Sequence, residues 1–256
     1  MNQEAHWNMI APKYNDEIFD VFTSDKSKRL AFYFKKHANI SHHAIDFGCG
    51  NGKSFPYLSP LFKSITAVDI SQKLLNQAKT RPYSNIEFKR LDLTKRNLLL
   101  GPPADFIFCC NVAMLPEIEK THAMIKNIQK ALRVGGNALL VLPSLDSVLY
   151  SSWRLIELYK KEGITPDKIP NTEFDYFKAS KRDIIQGIIY IDGVPTKHFG
   201  YAELVVVFRN AGLTITNIDK LEYDWGSEFA SPPKDMQEPY PWDWLVECRK
   251  NAEGSA

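Results

Sequence analysis

The chain has 256 residues, a formal net charge of +2, 44% hydrophobic and 24% charged residues. These values fit a soluble α/β fold with additions and exert no global pull toward nucleic acid or an anionic membrane. No apolar run approaches the ~20 residues of a bilayer span, so no membrane-spanning segment is expected.

Residues 7–37 carry two helical patterns separated by Thr23-Ser24-Asp25, with Ser24 or Asp25 as the expected N-cap of the second. Strands and helices then alternate. Ala44–Phe47 and Ser64–Asp69 read as strands, and Ser71 as the cap of a helix over Gln72–Thr80. Asn85–Leu91 and Ala104–Cys110 read as the third and fourth strands. Glu117–Arg133 reads as a helix that Gly135-Gly136 terminates, and Asn137–Leu142 as the fifth strand. Residues 146–162 look like an amphipathic helix, and 163–182 are rich in turns. A hairpin follows, Ile188–Ile191 and Thr196–Tyr201 around Asp192-Gly193. Glu203–Asn210 is helical and capped by Gly212. Leu213–Tyr223 and Trp242–Arg249 are the last strands, separated by a segment rich in proline and aromatics, and Asn251–Ala256 reads as a floppy tail.

Alternating elements with nearly continuous apolar strands imply a mostly parallel sheet covered by helices on both faces. Ligands of such sheets bind at the carboxyl ends of the strands. The most informative stretch lies at one of these ends: Asp46-Phe47-Gly48-Cys49-Gly50-Asn51-Gly52. A glycine turn between a strand and a helix suits a nucleotide-like ligand. The dinucleotide fingerprint is not met, because Lys53 stands where its last glycine belongs, and Asp46 would repel a pyrophosphate. There is no P-loop.

The second strand ends in Asp69, about 20 positions beyond the glycine turn, where a carboxylate can accept from both hydroxyls of a ribose. Ile70 follows it and would lie against an adenine face. The third strand ends at Asp92, which can accept from an adenine amino group while Leu93 packs on the ring. The fourth ends at Asn111, facing the middle of the cleft.

Together these stretches resemble the class I S-adenosylmethionine (SAM) methyltransferases. Residues 46–52 match motif I of that family, D/E-x-G-x-G-x-G, and Asp69 and Asp92 fall at its acidic post-I and adenine positions. Asp105–Leu115 resembles its motif IV. Leu132–Gly136 resembles the turn before its fifth strand. The resemblance implies a Rossmann-like seven-stranded sheet with an antiparallel last strand and a helix-plus-hairpin insert after strand five. It implies SAM as cofactor, S-adenosylhomocysteine (SAH) as product, and a cofactor site built from Tyr14, Asp46, Gly48, Cys49, Gly50, Asp69, Ile70, Asp92, Leu93 and Asn111. Trp7–Tyr14 is similar to the N-terminal helix of small-molecule and quinone-type members, whose tyrosine often lines the SAM cleft. The layout is one domain over 1–256: N-terminal helices 7–38, SAM-binding core 40–144, a substrate-recognition insert about 145–200, and closing elements 201–250.

Methyl transfer by in-line displacement needs no protein nucleophile, and a general base only if the acceptor must lose a proton. The base is unassigned. His198, on the second hairpin strand, is a candidate. His122 reads as a surface residue and His42-His43 as structural. Relatives with a histidine-rich segment after strand four differ here, where Ala113-Met114-Leu115-Pro116 stands, and no Asn-Pro-Pro-Tyr motif follows Asn111. The expected acceptor is a small molecule methylated on O, N or S, acted on by a monomer or homodimer. The alternatives are a methyltransferase of RNA or protein, or a non-catalytic SAM-binding regulatory module. Cys49, Cys109, Cys110 and Cys248 match no zinc spacing, so no metal is expected and the thiols read as reduced. Met1–His6 shows no secretory pattern, and a cytoplasmic location is expected.

Overall fold

Runs of Ala, Val, Ile, Phe and Cys with few polar breaks form strands that are buried on both faces. The computed structural model describes residues 2–96, 98 and 100–252. Short helices come first: α1 (Gln3–Ile10), α2 (Tyr14–Glu17), α3 (Val21–Ser24) and α4 (Arg29–His37). The core follows as β1 (Asn39–Phe47), α5 (Phe55–Leu58), β2 (Phe62–Asp69), α6 (Gln72–Ala78), β3 (Ile86–Arg90), β4 (Ala104–Cys110), α7 (Ile118–Ala131) and β5 (Leu132–Leu142). Helix α8 (Leu145–Lys161), short 3-10 turns, α9 (Lys181–Ile185) and the hairpin β6 (Ile188–Ile191) and β7 (Val194–Lys197) are inserted next. The chain closes with α10 (Tyr201–Ala211), β8 (Leu213–Glu222) and β9 (Trp242–Lys250).

Seven strands form one sheet in the order β3-β2-β1-β4-β5-β9-β8. Neighbours pair in parallel up to β5, and β9 runs antiparallel to both β5 and β8. This is the Rossmann-like sheet expected, with its last strand reversed. Side chains alternate between two cores, as a pleat with period two requires. Ile45, Phe47, Ile107, Cys109 and Leu140 meet α7 and α10 on one face. Ala44, Ile65, Phe106, Phe108 and Leu139 meet Leu30, Tyr33 and Phe34 of α4 on the other. At the sheet's amino end, Lys36 and His37 of α4 reach the buried Glu247 of β9 at 2.8 and 2.7 Å.

The insert docks on the sheet's carboxyl end. The Lys197 N–H donates to Met114 O at 2.9 Å, and the Phe199 N–H to Pro143 O at 2.8 Å. The hairpin therefore sits beside the exits of β4 and β5.

Some local expectations are corrected. Neither Ser24 nor Asp25 is the N-cap of α4. That place is taken by Lys28 in a left-handed conformation, φ 54°, and Asp25 instead accepts from the Leu30 N–H at 2.8 Å from farther back. Gly135-Gly136 do not terminate α7, which ends at Ala131. They form an irregularity inside β5, where the register against β4 shifts. A Cβ on Gly136 would meet the Ala104 carbonyl at 2.9 Å, so this close approach is what the glycine serves. Tyr201 opens α10 rather than closing the hairpin. Of the expected tail, Asn251 bonds Thr214 at 2.6 Å, while 253–256 lie outside the described residues.

Candidate active site

The turn after β1 is locked to β2 by its own backbone. The N–H groups of Gly48 and Cys49 both donate to Val68 O, at 2.8 and 2.9 Å. Gly48 has φ 89° and Gly50 φ 54°, and a Cβ on Gly48 would run into Val112. Left-handed backbone and tight space together demand glycine at both positions. Asp46 is buried just before this turn and accepts from the Ser54 hydroxyl. Burial pushes its carboxyl up to about 7, against the pull of Ser54 and with a push from the Asp69 charge. Among the described residues no cationic side chain lies within ion-pair distance of it.

Asp69, at the end of β2, ties the two loops together. Its Oδ2 accepts from the Gly50 N–H at 2.9 Å and its Oδ1 from the Ser71 N–H at 2.8 Å. Burial raises its carboxyl, and these backbone donors pull it back down. Tyr14 reaches across from the N-terminal segment, so that a Cβ on Gly50 would lie 2.5 Å from its hydroxyl. Burial first, then the charge of Asp69, holds the Tyr14 phenol protonated well above its ordinary range. Other N-terminal residues join it. Asn8 accepts from the Ser71 hydroxyl at 2.7 Å, and Asn15 accepts from Asn51 Nδ2 at 2.9 Å. The Cys49 thiol is buried and pushed well above its usual value, which makes it inert.

The other expected residues fare unequally. Ile70 is half-buried next to Asp69. Asp92 turns its Oδ1 onto Thr94, accepting from its N–H at 3.0 Å and its hydroxyl at 2.6 Å. Leu93 is buried in the core with Ile125 and Ile128 and offers little free surface. Asn111 holds φ 51° at the exit of β4, a strained conformation for a residue with a side chain. Its Nδ2 donates to Asp243 at 3.4 Å, and its Oδ1 is buried without a partner.

His198 follows β7 and is buried, with Nδ1 bonded to Thr196 O at 3.1 Å. Burial lowers its pKa to about 4, so the ring is neutral at neutral pH. His122 is not the surface residue expected: it is half-buried, with Nε2 enclosed and unpartnered. His43, at the sheet's amino end, bonds Ser64 at 2.9 Å. Among the described residues no group of three or more His, Cys, Asp or Glu is placed to hold a metal ion.

Sequence reasoning missed Asp243 and Tyr223. The Tyr223 hydroxyl donates to Asp243 Oδ2 at 2.8 Å, so β8 and β9 contribute to the same end of the sheet as Asn111. The only sequence signal was the polar Asp243 between Trp242 and Trp244 in the otherwise apolar first half of the strand, Trp242–Val246.

Residues 44–136 match a family model described as "Methyltransferase domain". Those residues carry a methyltransferase domain. This methyltransferase domain is 33% identical over 170 residues to a Haemophilus influenzae protein named "Probable S-adenosyl-L-methionine-dependent methyltransferase TehB", covering 57% of this chain. The chain spans 58% of the length of that relative. A SAM-dependent methyltransferase from Anabaena variabilis shares the fold with a TM-score of 0.64, 15% identity and coverage of 98% of this chain and 96% of that one. So does the N-methyltransferase NodS from Bradyrhizobium japonicum in complex with SAH, with a TM-score of 0.57, 13% identity and coverage of 96% and 99%.

Proposed function

We propose that the chain transfers the methyl group of SAM to a small-molecule acceptor by in-line displacement. The observation that carries this reading is the joint made by Asp69, Gly50 and Asp46: two buried carboxylates at the ends of adjacent strands, linked through a glycine turn. These residues fit the cofactor. Asp46 is a buried acid without a cation, and an α-amino group beside it would stabilise its ionised form. Asp69 keeps lone pairs for a ribose diol after accepting from two backbone N–H groups. Gly48 and Gly50 let the turn pass tightly against Val112 and Tyr14, where a side chain would clash. Tyr14 and Asn111 flank the turn, and Ile70 borders the adenine side. Asp92 can use its second oxygen, since its first is taken by Thr94. Leu93 supports this wall from the core rather than stacking.

When bound, the cofactor supplies a methyl group on a positively charged sulfur. The protein's part is to orient the acceptor ~3–3.5 Å from that carbon and to exclude water. The insert of residues about 145–200, docked over the exits of β4 and β5, is suited to selecting the acceptor. His198, the candidate base of that insert, has a neutral ring there, and a pKa lowered to about 4 by burial makes it a weak one. The free cysteines are compatible with a cytoplasmic location.

The test is thermal unfolding with SAM, SAH and NAD added separately, because a ligand of the native state raises Tm. SAM and SAH should raise it and NAD should not. Asp69→Asn should fold and lose most of the shift. No shift with either SAM or SAH would overturn the reading.

A further inference from the structure

We propose that Lys53 is a positioning residue for cofactor binding: its ammonium, anchored on Asp20, holds the Tyr14 ring over the glycine turn. The proposal rests on the SAM-dependent reading above and adds to it a residue outside the site described so far.

Lys53 follows the glycine turn, in the place where a dinucleotide site carries its last glycine. A glycine there serves close packing of the helix behind it. The lysine instead runs to the N-terminal segment, and only 17% of its side chain is exposed. Lysine is almost never buried unless it is paired. Here Nζ lies 3.1 Å from Asp20 Oδ2 and 5.7 Å from the centre of the Tyr14 ring. An ammonium within ~6 Å of a ring centre is attracted by the negative face of the ring.

The anchor is itself fixed. Asp20 divides its carboxylate between two partners. Its Oδ1 caps α3, accepting from the Phe22 and Thr23 N–H groups at 3.0 and 3.3 Å, and its Oδ2 faces Lys53. Helix α3 is pinned to the core in turn. Phe22 stacks on Tyr57 of α5 with 5.0 Å between ring centres and tilts against Phe108 of β4 at 5.9 Å. Asn51, two residues before Lys53, holds the same segment by donating to Asn15 at 2.9 Å. Its own carbonyl is held by Arg81 Nε at 2.7 Å. Alternate residues of the turn thus fasten the chain on both sides of Tyr14.

Tyr14 depends on these contacts. It opens α2, a helix of four residues, which is far too short to persist without tertiary partners. Its hydroxyl stands over Gly50, and among the described residues it makes no hydrogen bond. A protonated phenol at this point offers a donor to an oxygen of the cofactor. Lys53 itself is drawn away from the cofactor's charges by Asp20, and it forms no ion pair with Asp46. It therefore acts through Tyr14.

The test is isothermal titration of SAH into the full chain and its variants, well below Tm. Lys53→Met should weaken binding about tenfold, what a half-buried ion pair and one ammonium–ring contact supply together. Lys53→Arg should restore most of the affinity, since a guanidinium also pairs with a carboxylate and lies on a ring. Asp20→Asn keeps an N-cap of equal quality and removes only the charge that faces Lys53. It should weaken SAH by about threefold, within the range of one partly exposed pair. Lys53→Met combined with Tyr14→Ala should bind no more weakly than Tyr14→Ala alone, because Lys53 then has nothing left to position. A lysine that only stabilised the fold would lower Tm and leave the affinity unchanged. Native affinity in Lys53→Met overturns the proposal, as does a loss that adds in full to that of Tyr14→Ala. Should Lys53→Met not fold, unchanged affinity in Asp20→Asn overturns it instead. A native chain that binds neither SAH nor SAM overturns the reading beneath.

Discussion

Asp46 carries a linkage that can be measured. Its folded carboxyl is raised from 3.8 to about 7, mainly by burial. An acid that binds its proton more tightly when folded favours the folded state at low pH. Its contribution therefore declines as pH rises from about 4 through 7 and stays lost above that. Asp46→Asn should remove this slope, so that the variant gains stability relative to the native chain as pH rises from about 4 to 7 and keeps that gain above it; parallel Tm profiles for the two would refute the assignment. A ligand amino group beside Asp46 favours its ionised form, so the SAM shift should grow between pH 6 and 8 in the native chain and stay flat in the variant. A second residue-scale prediction concerns Gly50. Alanine there would have to adopt φ 54° and stand 2.5 Å from the Tyr14 hydroxyl. The left-handed conformation alone costs about 1–2 kcal/mol. Gly50→Ala should lower stability by at least that amount in denaturant titration and abolish the SAM shift.

Among the elements, the hairpin is fixed by one buried charge. Lys197, at the end of β7, has no exposed surface; its ammonium donates to Gln186 O and His198 O at 2.7 and 2.8 Å and pairs with Glu203 at 2.6 Å. These contacts join α9, β7 and α10 in one knot. Burial lowers its pKa and Glu203 opposes that shift. Breaking a buried pair costs roughly 3–5 kcal/mol, less here because Glu203 is partly solvated. Lys197→Met should destabilise by about 2–3 kcal/mol in urea, with the earliest loss of hydrogen-exchange protection in β6 and β7. The parallel strands, the glycine turn and Asp46 and Asp69 were legible in the sequence because each depends on a local pattern: an apolar run, an acid, then glycines. Helix α8 was placed correctly, yet its periodicity misleads about its packing. It buries Ser147, Ser151 and Ser152 while Leu149 and Trp153 stay half-exposed. Two of those serines serve partners distant in sequence: the Ser147 hydroxyl accepts from the Trp242 backbone N–H at 2.8 Å, and that of Ser152 from the Tyr176 hydroxyl at 3.0 Å. The pairing of Asn111 with Asp243 was hidden for the same reason, since 132 residues separate them and only the strand order brings them together.

At the scale of the whole molecule, the site is assembled from both ends of the chain around a sheet that uses only one of them. Strand β9 lies inside the sheet, between β5 and β8, and cannot be removed without exposing two strand edges. The N-terminal segment is different. Residues 3–17 contribute no strand, and they touch the core through point contacts: Asn8 on Ser71, the Ala11 carbonyl on Gln77 at 2.8 Å, Tyr14 on the glycine turn and Asn15 on Asn51. Most of these partners lie on the turn after β1 or on Ser71 and the helix α6 that it caps, next to the residues assigned to the cofactor, and Glu4 pairs besides with Arg90 of β3 at 3.5 Å. Such a segment gains little stability by itself but closes over whatever those loops hold. A chain lacking residues 2–17 should therefore unfold cooperatively, within a few degrees of the native Tm, while the shift produced by SAM largely disappears. In the full chain SAM should slow proteolytic cleavage before Asp20 and leave cleavage in 163–180 unchanged. A shortened chain that keeps the full SAM shift would show that the segment only covers the fold and that Tyr14 plays no part in binding.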